Sequence, residues 1–533
     1  MCGIFLYISN SEFKQQQIEL ITKEAMKIKS RGPDNTVTRI INNNFIMFHR
    51  LKINDISDNG NQPIIHPNDY NLILICNGEI YNHKSLIETY NFKTKSDSDC
   101  EVIIHLYEKF GIEKTVKLLD GVFAFAIIDN NKNKIFAARD PIGVRSLYIG
   151  KNDENIVISS ELKSLNNLTD NITQFKPGHY WCNEKGYQQY YFLDFPCIQD
   201  SETEILENIK KLLEKSVKKR MLSDRPIGCL LSGGLDSSLI TSLVSKYYKK
   251  GELYTFSVGL EGSEDLRYAK KVADFLETSH YEIILSEEEM LDAIKEVIYV
   301  TESYDTTTIR ASTPMYLLCK YIKENTDITV VFSGEGSDEA SGSYMYFHNA
   351  PNEIEFQDEC VRLIKDLSYF DVLRCDKCIS DAGLEARVPF LDKEFLKYYM
   401  SINSRYKMPK NYKMEKFLLR KSFDNNSYLP DEVLWRMKEG MSDGVSSQKK
   451  GWFQIIQDHV NQKMSDDHFN SEIKKYNFNP PKTKEALYFR EIYNNHFKSA
   501  DKLIPYYWLP KWCGDISEAS ARVLDVYKKN NKL

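Results

Sequence analysis

Cys2 carries a thiol next to the start of the chain, and removal of the initiator Met would put a free α-amino group on the same residue. An N-terminal amine titrates near about 7.7 to 8.0, so it can take the thiol proton without help from a histidine. A lone Cys2 is weak grounds for chemistry, but four further segments accompany it. Arg50 closes Phe48-His-Arg, Asn77-Gly78-Glu79 follows a buried apolar run, Ser98-Asp99-Cys-Glu101 opens a helical pattern, and Arg31-Gly-Pro-Asp34 reads as a turn. Taken singly, Asp99 is a helix cap and Arg50 a surface cation. Taken together, they offer a thiolate and an oxyanion hole from the Asn77 amide and the Gly78 N–H. They also offer a guanidinium for a carboxylate and an anion for an ammonium. That set suits cleavage of the side-chain amide of glutamine.

A second constellation follows the apolar run Ile227-Gly-Cys-Leu-Leu231. Ser232-Gly-Gly-Leu-Asp-Ser-Ser238 leads at once into a helical pattern, and a glycine-rich turn at a helix N-terminus presents N–H groups and a positive dipole end to an anion. The G-x-x-x-x-G-K-[ST] spacing is absent, so γ-phosphate transfer is not implied. Phe332-Ser-Gly-Glu-Gly-Ser-Asp-Glu339 ends another apolar run with a polar turn carrying Glu335, Asp338 and Glu339, without calcium-loop spacing. The histidines form no H-E-x-x-H, which disfavours a catalytic zinc. Cys375-Asp-Lys-Cys378 has no second pair and is expected to be structural.

The elements that must position these groups change character along the chain. Up to about Leu193, short strands (Ile4 to Ile8, Phe45 to Leu51, Leu72 to Cys76, Val122 to Ile128, Ile135 to Arg139) alternate with turns and two helices, Gln15 to Ile28 and Ser98 to Phe110. This predicts antiparallel sheet with packed helices. After the loop-like Pro196 to Glu202, a helix over Glu204 to Met221 precedes buried-type strands at Ile227 to Leu231, Tyr254 to Val258, Tyr281 to Leu285 and Thr329 to Phe332, with helical patterns between. That alternation predicts a parallel sheet wound with helices, hence two domains meeting near residue 200.

Composition sets the outer limits. At roughly 150 residues per domain, 533 residues exclude a single small module. Lys plus Arg is 70 against 76 Asp plus Glu, a net charge of −6, so nucleic-acid binding by bulk electrostatics is not expected. No apolar run approaches the ~20 residues of a membrane span, and the start Met-Cys-Gly-Ile-Phe-Leu-Tyr, without a basic n-region or an A-x-A-like cleavage site, is not expected to be a signal peptide. The expected location is the cytoplasm, where 11 irregularly spaced cysteines remain reduced.

From Cys2-Gly-Ile to Asp140-Pro-Ile-Gly-Val144 the chain resembles the class II, N-terminal-nucleophile glutamine amidotransferase domain. Ser232 to Ser238 resembles the pyrophosphate loop of adenylating ATP pyrophosphatases. With Thr306 to Ser312, Gly383 to Asp392, Trp435-Arg-Met-Lys-Glu439 and Ser442 to Val445, the likeness to the glutamine-hydrolysing asparagine synthetase family runs to about Arg522. The resemblance implies an αββα glutaminase domain over 2–195 and an α/β parallel-sheet synthetase domain over 203–525, with an apolar passage for ammonia between them and a homodimeric assembly. In the first domain it makes Cys2 the nucleophile, Asn77 and Gly78 the oxyanion hole, and Arg50, Glu79 and Asp99 the grip on glutamine's amino-acid end.

In the second domain it assigns Leu231, Val258, Ser333 and Gly334 to adenine and ribose, and Ser232, Gly233, Gly234, Ser237 and Ser238 to the departing pyrophosphate. Asp236 and Asp338 are implied Mg²⁺ ligands, and Lys438 neutralises phosphate charge. Glu335 assists formation and ammonolysis of β-aspartyl-AMP, while Arg310 and Glu339 are the aspartate-site candidates. ATP, glutamine and aspartate are the implied substrates. Ser146 departs from the family's usual Pro, and Met441 from its usual aromatic. Another amide ligase on the same fold, or a glutamine or nucleotide sensor without turnover, are the alternatives. A β-lactam-forming relative is disfavoured by the presence of Cys2.

Overall fold

The computed structural model describes residues 1–498 and 500–530. In the first domain, strands β1 (Gly3–Ser9), β2 (Asn35–Ile41), β3 (Asn44–Arg50), β8 (Tyr148–Lys151), β9 (Asn155–Ser159) and β10 (Asn171–Gln174) form one sheet in the order β10-β8-β9-β1-β3-β2. A second sheet holds β4 (Ile64–His66), β5 (Asp69–Ile80), β6 (Gly121–Asp129), β7 (Lys134–Arg139), β11 (His179–Cys182) and β12 (Gly186–Gln189), ordered β12-β11-β7-β6-β5-β4. All pairings in both sheets are antiparallel.

Side chains alternate across a strand, so each sheet has two faces to bury. Ile4, Leu6, Ile46 and Phe48 meet Ile73, Ile75, Ala124 and Ala126 in a dry layer between the sheets. The outer faces take helices. Ile21 and Ala25 of the helix Gln15–Ala25 belong to one cluster with Phe5, Phe45 and Met47, while the helix Val102–Phe110 covers Leu74, Phe123 and Phe125. The result is the αββα layering. Asn77, Gly78 and Glu79 lie inside β5, not after it, paired with Ala124, Phe123 and Val122. A Cβ on Gly78 would sit 2.5 Å from the Val122 carbonyl, so only glycine fits there.

In the second domain β13 (Ile227–Leu230), β14 (Tyr254–Leu260), β15 (Ser279–Leu285), β16 (Val330–Phe332) and β17 (Glu385–Arg387) form a parallel sheet in the order β15-β14-β13-β16-β17. Its entry helix Glu202–Lys219 starts on a capping box in which Ser201 and Glu204 satisfy each other's backbone N–H groups. The chain runs from β13 outward to β15 on one side, then returns to β16 and β17 on the other. The strand order therefore reverses between β13 and β16, the place where an open parallel sheet opens a crevice at its carboxyl ends. Both polar turns, Ser232–Ser238 and Ser333–Glu339, leave the sheet there.

The two domains share a core. Leu51, Ile53, Val122, Ile142 and Val144 belong to the same buried apolar cluster as Phe332, Leu384, Ala386 and Val388. Ion pairs lock its edge: buried Arg31 holds Glu161 at 2.6 Å and Asp376 at 3.0 Å. Ser146 donates its hydroxyl to Asp376 at 2.7 Å, an interdomain hydrogen bond that a proline at this position could not make. Cys375 and Cys378 are buried on the helix Asp371–Asp381, and the Cys378 thiol faces the Ser312 carbonyl. No helix of the described residues is long and apolar enough to cross a membrane.

Candidate active sites

The pairing of β1 with β3 sets Gly3 opposite His49, which carries Cys2 to the end of β3 beside Arg50 and Leu51. The Cys2 sulfur accepts the Leu51 N–H at 3.4 Å, and Arg31 Nε donates to the Cys2 carbonyl at 3.1 Å. Met1 is present and buried, with its amine donating to the Leu384 carbonyl across the domain boundary at 3.1 Å. Burial lowers that amine to about 5. Burial pushes the Cys2 thiol up to about 11, a rise that the Met1 ammonium only partly opposes. With Met1 attached, the thiol has no usable base and is held protonated.

Around the thiol, Arg50 is fixed by the carbonyls of Ser57 at 2.7 Å and Asp55 and by Asn61 Oδ1 at 2.8 Å. Asn77 is wholly buried, and neither polar atom of its amide has a hydrogen-bond partner among the described residues. Both amide atoms are thus available to a ligand or a water. Glu79 and Asp99 are buried and joined by one amide, Asn54 Nδ2, at 2.5 Å and 3.2 Å. Asp99 also accepts the Ile80 N–H at 2.6 Å. Burial raises both carboxyls, against Arg387 in the case of Glu79. Two such carboxylates are completed by a cation such as an α-ammonium.

The crevice of the second domain holds a cavity of about 210 Å³. Leu231, Val258 and Met315 supply apolar wall, and Ser232, Gly234, Asp236, Ser237, Ser333, Gly334, Glu335, Asp338 and Lys438 supply its polar side. Gly234 caps the helix Leu235–Ser245 without a side-chain bond, leaving the first N–H groups free for an anion. Gly233 and Ser238 do not line the cavity. Gly233 has φ +69°, and a Cβ there would lie 2.3 Å from the Ala269 nitrogen, so its part is to let the turn pass the next helix. Ser238 is fully buried.

The two turns are tied by charge. Lys416, buried and at φ +57°, reaches Asp236 at 2.5 Å and Asp338 at 2.6 Å, and Lys438 reaches Asp338 at 2.5 Å. Burial alone would raise Asp338, but Lys416 and Lys438 outweigh it and hold the carboxyl well below the usual range. No group of three or more His, Cys, Asp or Glu suited to a metal occurs among the described residues. Yet Asp236 and Asp338 already converge on one cation, and two carboxylates plus substrate phosphates are the donor set Mg²⁺ takes. Lys416→Met is expected to cost the nucleotide-free protein about 1 to 3 kcal/mol by removing the buried ammonium shared by the half-buried Asp236 and Asp338, leaving Asp236 without a cation while Asp338 keeps Lys438, and Mg²⁺ with ATP should restore most of it. Thermal unfolding with and without both additives checks this, and equal midpoints for variant and parent in each state would contradict it.

Glu335 accepts from Arg374 at 2.7 Å, and Arg374 also holds Asp371 at 2.7 Å. Burial pushes the Glu335 carboxyl up to about 7, against the pull of Arg374. Glu339 does not line the cavity but accepts the Tyr344 hydroxyl at 2.6 Å, while Tyr344 itself lines the wall. Arg310 is a correction to the sequence expectation. Its guanidinium is saturated by Glu485 at 2.8 and 2.6 Å and by Glu518 at 3.1 Å, away from the cavity. Three guanidinium groups line the cavity instead: Arg420, held by Glu415 and the Leu434 carbonyl, Arg436, held by Asp265 and the Gly233 carbonyl, and Arg374, whose Nε is buried without a partner. The Asp371-x-x-Arg374 spacing in a first helical turn was its only sequence signal, and Lys416 had none.

Two comparisons with known proteins bear on these sites. A family model described as "Asparagine synthase" matches residues 208–358 and 349–514, and one described as "Glutamine amidotransferase domain" matches residues 1–223. The chain is 42% identical over 571 residues to the asparagine synthetase [glutamine-hydrolyzing] of Gallus gallus, covering 99% of each chain. It is 40% identical to the proteins of that name from Homo sapiens, over 99% of each chain, and Cricetulus griseus, over 100% of each.

Proposed function

The chain belongs to the glutamine-hydrolysing asparagine synthetase family, and from that premise we propose that it makes asparagine from aspartate, glutamine and ATP by way of β-aspartyl-AMP, releasing AMP, pyrophosphate and glutamate. The observation that carries the adenylating half is the pair of turns at the sheet's reversal point, which juxtapose an open helix N-terminus, two carboxylates and two lysines in one cavity. That inventory suits a pyrophosphate leaving group and has no Walker lysine.

In the first domain, loss of Met1 leaves the Cys2 amine beside its own thiol. The amine takes the proton, the thiolate adds to the glutamine carboxamide, and the Asn77 amide and Gly78 N–H receive the developing oxyanion. Arg50 takes the α-carboxylate, and Glu79 with Asp99 take the α-ammonium. Collapse expels ammonia as the Cys2 ammonium returns its proton to the leaving nitrogen, and water releases glutamate from the thioester. The apolar interdomain core around Leu51, Val122, Val144 and Leu384 favours neutral NH₃ over ammonium on the way to the second site.

There Leu231 and Val258 bracket the adenine, Ser333 and Gly334 the ribose, and Ser232, Gly234 and Ser237 the phosphates. Asp236 and Asp338 would hold Mg²⁺, which supplies charge neutralisation on the phosphates when bound. Arg374 faces the aspartate carboxylate and Tyr344 its far end. The β-carboxylate attacks the α-phosphorus, and Lys438 and Lys416 balance charge on the pyrophosphate as it departs. Ammonia then adds to the acyl carbon, Glu335 accepts its proton, and AMP leaves. The expected location is the cytoplasm. The test is ³¹P NMR of the reaction: AMP and pyrophosphate in equal amounts support this course, and ADP with phosphate would overturn it.

A further inference from the structure

Arg387 is wholly buried and ends β17, the edge strand of the second domain's sheet. Its backbone and its side chain serve different sites. The Arg387 carbonyl accepts the N–H of Ser333 at 2.9 Å, at the root of the turn carrying Glu335 and Asp338. Its guanidinium crosses the domain boundary to Glu79, with one terminal nitrogen 3.3 Å from Glu79 Oε2 and 2.7 Å from Glu385 Oε1. The other terminal nitrogen donates to the Arg220 carbonyl at 3.3 Å, and the guanidinium lies 6.0 Å from the centre of the Tyr81 ring. Glu79 stands two residues from Asn77 on β5, so both side chains share a face. From Glu79 the contacts continue through Asn54 to Asp99.

The glutamine site of the first domain is therefore incomplete without a cation from the second. We infer that Arg387 is a positioning residue for glutamine: it fixes Glu79 by charge from the nucleotide-binding domain, so that glutamine affinity depends on the turn to which its carbonyl is bonded. This rests on the glutaminase reading of Cys2, Glu79 and Asp99. The charges facing Glu79 are Asp99 from its own domain, Glu385 and Arg387 from β17, and Arg145 from the loop after β7. With two carboxylates facing Glu79, loss of one of the two guanidinium groups leaves Glu79 to retain a proton and lose its aim at an ammonium. A lysine at this position keeps the charge while giving up the planar fork.

The experiment uses the full-length, Met1-processed enzyme as parent, Arg387→Gln and Arg387→Lys. It measures glutaminase KM and kcat across pH 6 to 9 beside ammonia-dependent asparagine formation. Arg387→Gln is expected to raise the glutamine KM about 10-fold or more, with a smaller change in kcat. The acid limb of kcat/KM should move to higher pH, and Arg387→Lys should recover part of both effects. An unchanged glutamine KM would overturn the inference. So would an equal fall in both activities with no movement of the pH limb, which marks general damage to the fold. Glutamate release that persists in Cys2→Ala would instead sink the glutaminase reading, and this inference with it.

Discussion

Cys2→Ala is expected to lower glutamine-dependent asparagine formation at least about 10³-fold, while ammonia-dependent formation stays within about twofold of the parent. The asymmetry follows from the proposed assignment: the thiol would react only with glutamine, and the turns proposed to hold ATP leave a different sheet in a different domain. A chain that keeps Met1 should match the alanine variant although its thiol is intact. In that state the α-amine belongs to Met1, sits on the Leu384 carbonyl and is lowered by burial, and the Cys2 thiol is pushed up to about 11. Intact-mass measurement paired with glutaminase assays checks both forms. Glutamine turnover by a Met1-retaining chain would show that the amine is not the base.

Glu335→Gln is expected to separate the halves in the opposite sense. Asparagine formation from either nitrogen source should fall about 10² to 10⁴-fold, the usual worth of a general base, while glutamate release continues. Burial holds the Glu335 carboxyl near 7 against Arg374, so the base form is lost as pH falls through about 7. The synthetase rate should follow it, with glutamine as donor so that the supply of ammonia is not set by bulk pH. Arg374→Gln removes the group that pulls this carboxyl down, and the limb should then move to higher pH. The stability linkage has the reverse slope. Because the folded-state value lies above the unfolded one, Glu335's contribution is fully present below about pH 4 and is lost as pH rises through about 7. A pH limb unmoved in Arg374→Gln would contradict the assignment.

Much of this was legible in the residues. The long apolar strands β1, β3, β5, β6 and β7 and the helix–strand alternation after residue 200 showed the two layer types, because each buries a face whose period can be read. The strands not read, β2, β4, β8 to β12 and β17, lack the continuous apolar run that made even the short β13 and β16 visible, and exist because neighbours pair with them. β17 mattered most, since it brings Arg387 and Glu385 to the domain boundary.

At the sites, the backbone-dictated pieces were readable. Gly78 and Gly233 are glycines because a Cβ would strike a backbone atom, and Cys2, Asn77 and Asp99 stood out by type. Residues recruited by tertiary charge were not. Arg310 and Arg374 both lie near the start of a helix in polar surroundings, and nothing in the sequence says that Glu485 and Glu518 occupy the first while the second faces the cavity. Lys416 and Arg387 acquire their roles only from carboxylates far away in the chain.

The central claim is that nitrogen freed at Cys2 reaches an aspartyl adenylate in the same molecule. The most direct test is mass spectrometry of asparagine formed over the first turnovers by the Met1-processed enzyme from aspartate, ATP, Mg²⁺ and ¹⁵N-amide glutamine, with unlabelled ammonium present at a concentration that supports little synthesis by itself but far exceeds the ammonia released. The account predicts asparagine carrying mostly ¹⁵N, with one AMP per asparagine. Asparagine carrying the unlabelled nitrogen of the medium, or glutamate formed while aspartate is untouched, would contradict it.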